Sequence, residues 1–332
     1  MINDDDNLYY TYLDECKKNF LTDSMKKEGF NSTYEEYSIT SITFNREYYQ
    51  TTFETAWAAF RNKYRMNGNK AMHFVDYKKL IDPGQRVPEN EGYSQFIVNN
   101  LFSEEKLKSF FNELRDLLRD SEFFIVHTDY YWEKHHYLTK RNHFEKFQLS
   151  KKSRNVAPRL LNAVPYVAMR KHLDSLMLGM LKNKKDDVTL YLDEELPNKV
   201  YTKLRFDADG KQFDARTDLK KAYNHTITIG SDNVNQKTSS EILDEIRFIR
   251  KEEVGHNFTP SHCGLEIVDM LCSMIAGETR LKEYKKTGSI KANSQITSGD
   301  FINLKFPDGD IIEFESIIES KMRYHTINYL KY

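Results

Sequence analysis

The tetrapeptide Tyr-Leu-Asp-Glu occurs twice in this chain, at Tyr12 to Glu15 and at Tyr191 to Glu194, each time where an apolar, β-prone run ends in two acids. A third acidic pair, Glu266 and Asp269, lies inside the apolar helical run Gly264-Leu-Glu-Ile-Val-Asp-Met-Leu-Cys-Ser-Met-Ile-Ala-Gly277. Carboxylates at strand ends together with carboxylates on a helix are the material of a divalent-metal site. Hard cations such as Mg²⁺ take oxygen ligands and usually need only one or two carboxylates each. Sites of that kind commonly hydrolyse phosphodiesters.

With 332 residues the chain is long enough for one large domain with insertions or for two modest ones. Hydrophobic residues make up 39%, including 21 Tyr and 21 Phe, which excludes a disordered protein. No apolar run approaches the ~18 residues of a membrane span, and the start Met-Ile-Asn-Asp-Asp-Asp is acidic where a signal peptide is basic. The expectation is a cytoplasmic chain with no membrane partner. Cys16, Cys263 and Cys272 form no CxxC pair and cannot build a zinc site alone, so they read as reduced thiols.

The net charge of −1 argues against indiscriminate coating of nucleic acid, yet charge is unevenly placed. Between Lys134 and Arg159 stand eight basic residues against one acid, Glu145, with Tyr137, Phe144 and Phe147 interleaved. Phosphate neutralisation with ring stacking uses that mixture, and Lys140, Arg141, Lys151, Lys152 and Arg154 are the candidate nucleic-acid contacts. A solvated basic loop has the same composition.

Leu8 to Leu13 reads as a strand ending at Asp14 and Glu15, and Tyr37 to Phe44 alternates as a half-buried strand does. Asn45 is placed to cap a helix reaching about Tyr64, with Tyr49, Phe53, Trp57 and Phe60 at helical spacing. Residues 82–92 read as a loop, and Ser103 starts a second helix whose stripe is Leu107, Phe110, Phe111, Leu114 and Leu117/Leu118. Phe123 to Thr128 follows as a strand. Ala163 to Leu181 reads as a helix with Pro165 in its first turn, and Val188 to Leu192 as the strand that delivers Asp193. Residues 207–240 read as a polar loop containing a short strand, Thr226 to Ile229, before a strand at Ile242 to Ile249 and the acidic-pair helix at Gly264 to Arg280. Pro307-Asp308-Gly309-Asp310 between two apolar runs is a hairpin signal.

A strand ending in Asp-Glu, a strand and helix, a central acid-tipped strand and a late Gly-Leu-Glu-Ile-Val-Asp helix together resemble the domain of unknown function 3800 family. The family opens with an apolar strand followed by Asp-Glu-Ser-Gly and closes with Gly-Leu-Gln-(apolar)-Ala-Asp. Here Cys16-Lys17 stands for Ser-Gly, Glu266 for Gln and Val268 for Ala. The resemblance spans roughly residues 8 to 282 and implies an α/β fold of the ribonuclease H-like superfamily, a mixed β-sheet flanked by helices. Together with the basic run, the polar stretch and the hairpin signal read above, the expected organisation is a ribonuclease H-like domain over 1–288, with a basic insertion at about 133–160 and the polar loop at about 207–240, and a small C-terminal β-hairpin appendage over 289–332.

Carried over residue by residue, the resemblance implies Asp14, Asp193 and Asp269 as catalytic metal ligands, with Glu15, Glu194 and Glu266 beside them and His73 as an accessory. The expected cofactor is one or two Mg or Mn ions, and the expected activity is a metal-dependent nuclease acting on DNA or RNA. A different class of function keeps the same fold as a non-catalytic nucleic-acid-binding or sensor module, in phage defence or prophage control, with the acids as caps and salt bridges. A zinc hydrolase using His135, His136 and His143 is the third alternative, although adjacent histidines lack the helical spacing such enzymes show.

Overall fold

Leu8–Lys18 (β1) and Tyr34–Asn45 (β2) pair antiparallel along nearly their whole length, from Tyr9 opposite Asn45 to Lys18 opposite Glu36. A computed structural model describes residues 7–18, 34–66, 71–90, 92–133, 156–182, 200–207, 213–249, 263–287 and 302–330. Because β2 continues to supply partners, β1 does not end at Leu13 but runs through Asp14 and Glu15 to Lys18. The two acids are therefore within the sheet rather than in a turn beyond it.

Asn45 caps the first helix as expected, its side-chain oxygen accepting from the Glu47 and Tyr48 N–H groups at 2.9 and 3.2 Å. That helix (α1) runs through Arg46–Tyr48, a π-helical stretch at Tyr49–Phe53, and Glu54–Lys63. The segment after it holds a short helix, Phe74–Lys79 (α2), then 3₁₀ turns at Pro83–Gln85 and Tyr93–Phe96 and two short strands, Ile97–Val98 (β3) and Leu101–Phe102 (β4). Ser103 caps Glu104–Asp120 (α3), whose stripe Leu107, Phe110, Phe111, Leu114 and Leu118 is buried.

Phe124–Glu133 (β5) pairs antiparallel with β2, and Val156–Lys182 (α4) crosses back over the sheet. Pro165 lies inside α4, because the helix begins earlier than Ala163. Tyr201–Asp207 (β6) then pairs parallel to β1, and Leu243–Ile249 (β7) parallel to β6. Between them the expected loop is two helices, Phe213–Ile229 (α5) and Gln236–Ile242 (α6). Leu219, Ala222, Tyr223 and Thr226 are buried at helical spacing, so Thr226 to Ile229 is the last turn of α5 and not a strand. Cys263–Thr287 (α7) is the acidic-pair helix.

The C-terminal residues do contain the expected hairpin, Leu304–Lys305 (β8) with Ile311–Ile312 (β9). They do not form a separate appendage, however: after Glu315–Lys321 (α8), Met322–Leu330 (β10) pairs parallel to β5 and becomes an edge of the central sheet. The sheet is thus mixed and six-stranded, in the order β10-β5-β2-β1-β6-β7. One core, on the α7 side, gathers α1, α2, α3, α7 and the β8–β9 hairpin; the other gathers α4, α5 and α6. The chain is an α/β protein of three layers. Among the described residues no helix is long and apolar enough to cross a membrane, and Cys16, Cys263 and Cys272 are not in disulfides.

Candidate functional site

Successive residues of a strand face opposite sides of a sheet, so the core memberships orient β1: Tyr12 packs under α7 and Leu13 against α4. Asp14 shares the Tyr12 face and is buried beneath α7. Thr40 of β2 stands opposite Asp14 on one side and opposite His127 of β5 on the other, and His127 stands opposite His325 of β10. On the far side of β1, the parallel register pairs Leu13 with Phe206, which sets Asp207 one step on, beside Asp14. One row across five strands therefore reads Asp207, Asp14, Thr40, His127, His325, with ~4.8 Å between neighbouring strands.

Asp207 is the last residue of β6, and Asp14 stands beside it within β1, one step past the last β1–β6 pair. Ligands of open α/β sheets bind outside the carboxyl ends of the strands, and the end of β6 is such a place. Above this point lies α7. The Cys272 thiol donates to the Asp14 carbonyl at 3.5 Å. Burial pushes that thiol upward in pKa, and the charges of Asp14, Cys16 and Asp269 push it further, so Asp269 and Asp14 act on the same thiol. Asp14, Asp207 and Asp269 all have polar or electrostatic partners of their own.

The other candidates are distributed differently. Glu15 lies on the α4 face of β1, where it accepts a hydrogen bond from the hydroxyl of the buried Tyr37. Glu266 neither faces solvent nor joins Asp14. It is buried between α7 and α1, accepting from the Trp57 indole N–H at 2.6 Å, from the Arg61 guanidinium and from the Met72 backbone N–H. Burial raises its carboxyl pKa, and those three donors pull against the rise. His73 is half-buried just before α2, next to Met72. Asp193 and Glu194, the strand expected at Val188 to Leu192, the basic residues Lys140, Arg141, Lys151, Lys152 and Arg154, and His135, His136 and His143 lie outside the described residues.

Deeper along the same face is a second cluster. His127 Nε2 is 2.8 Å from Asp129 Oδ1, and His325 Nε2 is 2.9 Å from Asp129 Oδ2. Burial works to raise the Asp129 carboxyl, but His127 and His325 outweigh it and the net direction is down. Ser38 Oγ donates to Asp129 Oδ1 at 2.5 Å, and Arg280 of α7 forms a buried ion pair with Glu36, the residue two before Ser38. The ligand atoms of His127, Asp129 and His325 all lie within 4.8 Å of one another, and they are the one group of that tightness among the described residues.

Asp207 escaped the sequence reading although a signal was present: Val200, Thr202, Leu204 and Phe206 alternate with polar residues up to it, and all four are buried. His127 and Asp129 sit two apart on one strand, a weak local signal, and His325 joins them only through the pairing of β5 with β10. No protein-family model, curated protein or solved structure matches this chain.

Proposed function

We propose that the chain is a metal-dependent phosphodiester hydrolase acting on nucleic acid, on a sheet of ribonuclease H-like type, with Asp14, Asp207 and Asp269 as its carboxylates. Asp207 takes the place that sequence reasoning gives to Asp193. The observation that carries this reading is the register of β1 with β6, which puts Asp14 beside Asp207 at the carboxyl end of β6, under α7.

The donor set suits a hard divalent cation of the Mg²⁺ or Mn²⁺ kind, since it is all oxygen and comes from three separate elements. Asp14, Asp207 and Asp269 do not bring ligand atoms within 4.8 Å of one another, so closing around an ion would take side-chain movement. A cation held there supplies an activated water and charge stabilisation at the leaving oxygen. The protein's own part is to fix the carboxylates: β1 and β6 hold two of them on paired backbone, and α7 holds the third against the sheet. No protein nucleophile is needed.

The test is hydrolysis of labelled DNA and RNA by the full chain with Mg²⁺ or Mn²⁺. Cleavage that disappears in Asp14→Asn and in Asp269→Asn supports the assignment. Cleavage unchanged in both variants removes it.

A further inference from the structure

We propose that Nε2 of His127, the carboxylate of Asp129 and Nε2 of His325 are ligands of one zinc-class divalent ion, which fastens β10 to β5 and is distinct from the Asp14–Asp207 site. Two imidazole nitrogens and one carboxylate oxygen suit borderline cations such as Zn²⁺ far better than Mg²⁺, whose preferred ligands are oxygens. The two sites therefore differ in the chemistry they select as well as in position.

Strand register builds the cluster. His127 and Asp129 are two residues apart on β5 and so share a face, and His325 is the register partner of His127 on the next strand. Asp129 is held from both ends: Ser38 donates to its carboxylate, and the Asn328 side-chain amide donates to its backbone carbonyl at 3.2 Å. His127 Nδ1 is 2.7 Å from Thr40 Oγ1. With Nε2 on an ion, Nδ1–H donates to that hydroxyl, which is the outer-shell bond that orients a metal-bound histidine.

Geometry and access also fit. A tetrahedral ion with bonds of about 2.0–2.1 Å spaces its ligands roughly 3.3 Å apart. The two imidazole nitrogens lie 2.8 and 2.9 Å from the two oxygens of Asp129, and one ligand atom from each of the three residues lies within 4.8 Å of the other two, so small side-chain shifts would bring them to that spacing. His325 makes the adjustment possible, because its side chain is 34% exposed while His127 and Asp129 are sealed. The same exposure leaves an entry path and a fourth position open to water. Thr279 of α7 approaches His325 Nε2 at 3.5 Å and covers the cluster from above.

The experiment uses the full chain stripped with a chelator, then titrated with Zn²⁺ by calorimetry and with Co²⁺ by visible absorption. Expected are one ion per chain, a raised melting temperature on Zn²⁺ addition, and the visible bands of a low-coordinate Co²⁺ centre. His325→Ala, on a partly exposed edge-strand residue, should weaken Zn²⁺ binding by ~100-fold or more, and Thr40→Val by ~10–100-fold through loss of the outer-shell bond. Asp244→Asn, on the opposite edge strand β7, should bind Zn²⁺ like the parent. The proposal fails if the stripped chain binds neither ion, or if His325→Ala and Thr40→Val both bind with the parent's affinity. Loss of Mg²⁺-dependent cleavage with Zn²⁺ binding intact would remove the hydrolase reading and leave this one standing.

Discussion

Glu266 of α7 and Arg61 of α1 form an ion pair whose side chains are only 1% and 6% exposed. Their carboxylate also receives the Trp57 indole N–H and the Met72 backbone N–H, so one helix residue ties α7 to α1 and to the start of α2. Removing one member of such a pair strands a buried charge. Glu266→Ala should therefore cost about 3–5 kcal/mol in chemical denaturation, with Arg61→Met costing a comparable amount. A loss below about 1 kcal/mol would show that Glu266 is not the fastening described.

Gly264 is required for a steric reason. A Cβ there would run into the Tyr12 ring on β1, at the point where the first turn of α7 rests on the sheet. The Gly264 N–H donates to the Tyr49 hydroxyl at 3.3 Å, which fixes the same turn from the α1 side. Gly264→Ala should destabilise the fold by about 1–3 kcal/mol, the usual cost of overpacking, despite alanine's better helix propensity. Thermal unfolding of the variant decides this; a raised melting temperature contradicts the close approach.

The parts of the fold that were legible in the sequence rest on local interactions. Asn45 and Ser103 announce helix starts because each side chain caps its own next turn. Pro307 to Asp310 announces a hairpin because Gly309 adopts φ +97, which a turn demands. What was hidden depends on distant partners. Met322–Leu330 reads as part of an appendage until β5 is there to pair with it, and Glu266 reads as a metal ligand until Arg61 is brought beneath it. Phe213–Ile229 was missed because only Leu219, Ala222, Tyr223 and Thr226 mark its buried side among many polar residues.

His172 of α4 gives the fold a pH dependence. It is fully buried against β5, its Nδ1 3.1 Å from Thr128 Oγ1 and its Nε2 without a hydrogen-bond partner. Burial, helped by the charge of His127, pushes its pKa from 6.5 down to about 3. Between those values the unfolded chain binds a proton that the folded chain refuses, so stability rises with pH and is lost as pH falls from about 6.5 towards about 3. The slope from this one group is at most about 1.4 kcal/mol per pH unit. His172→Leu removes it, and the stability gap between parent and variant should narrow as the solution is acidified. Denaturation curves recorded across that window test the point: two profiles that stay parallel rule His172 out as the source.

Asp207 offers the sharpest test of how the carboxylates are grouped. It is fixed by backbone pairing, Asp207 with Ile249 on β7 and the neighbouring Phe206 with Leu13 on β1, so replacing its carboxylate by an amide leaves the strand intact. If the hydrolytic site is the one set by this register, Asp207→Asn should lower Mn²⁺-dependent cleavage by ~100-fold or more, as far as Asp14→Asn does, with little change in melting temperature. Asp244→Asn, half-exposed on β7 and 3.9 Å from Lys203, is the control and should cleave normally. Equal activity in Asp207→Asn and the control would mean that the acid beside Asp14 is a structural neighbour only. The third ligand would then have to come from elsewhere in the chain, and Asp193, which sequence reasoning placed in that role, becomes the residue to substitute next.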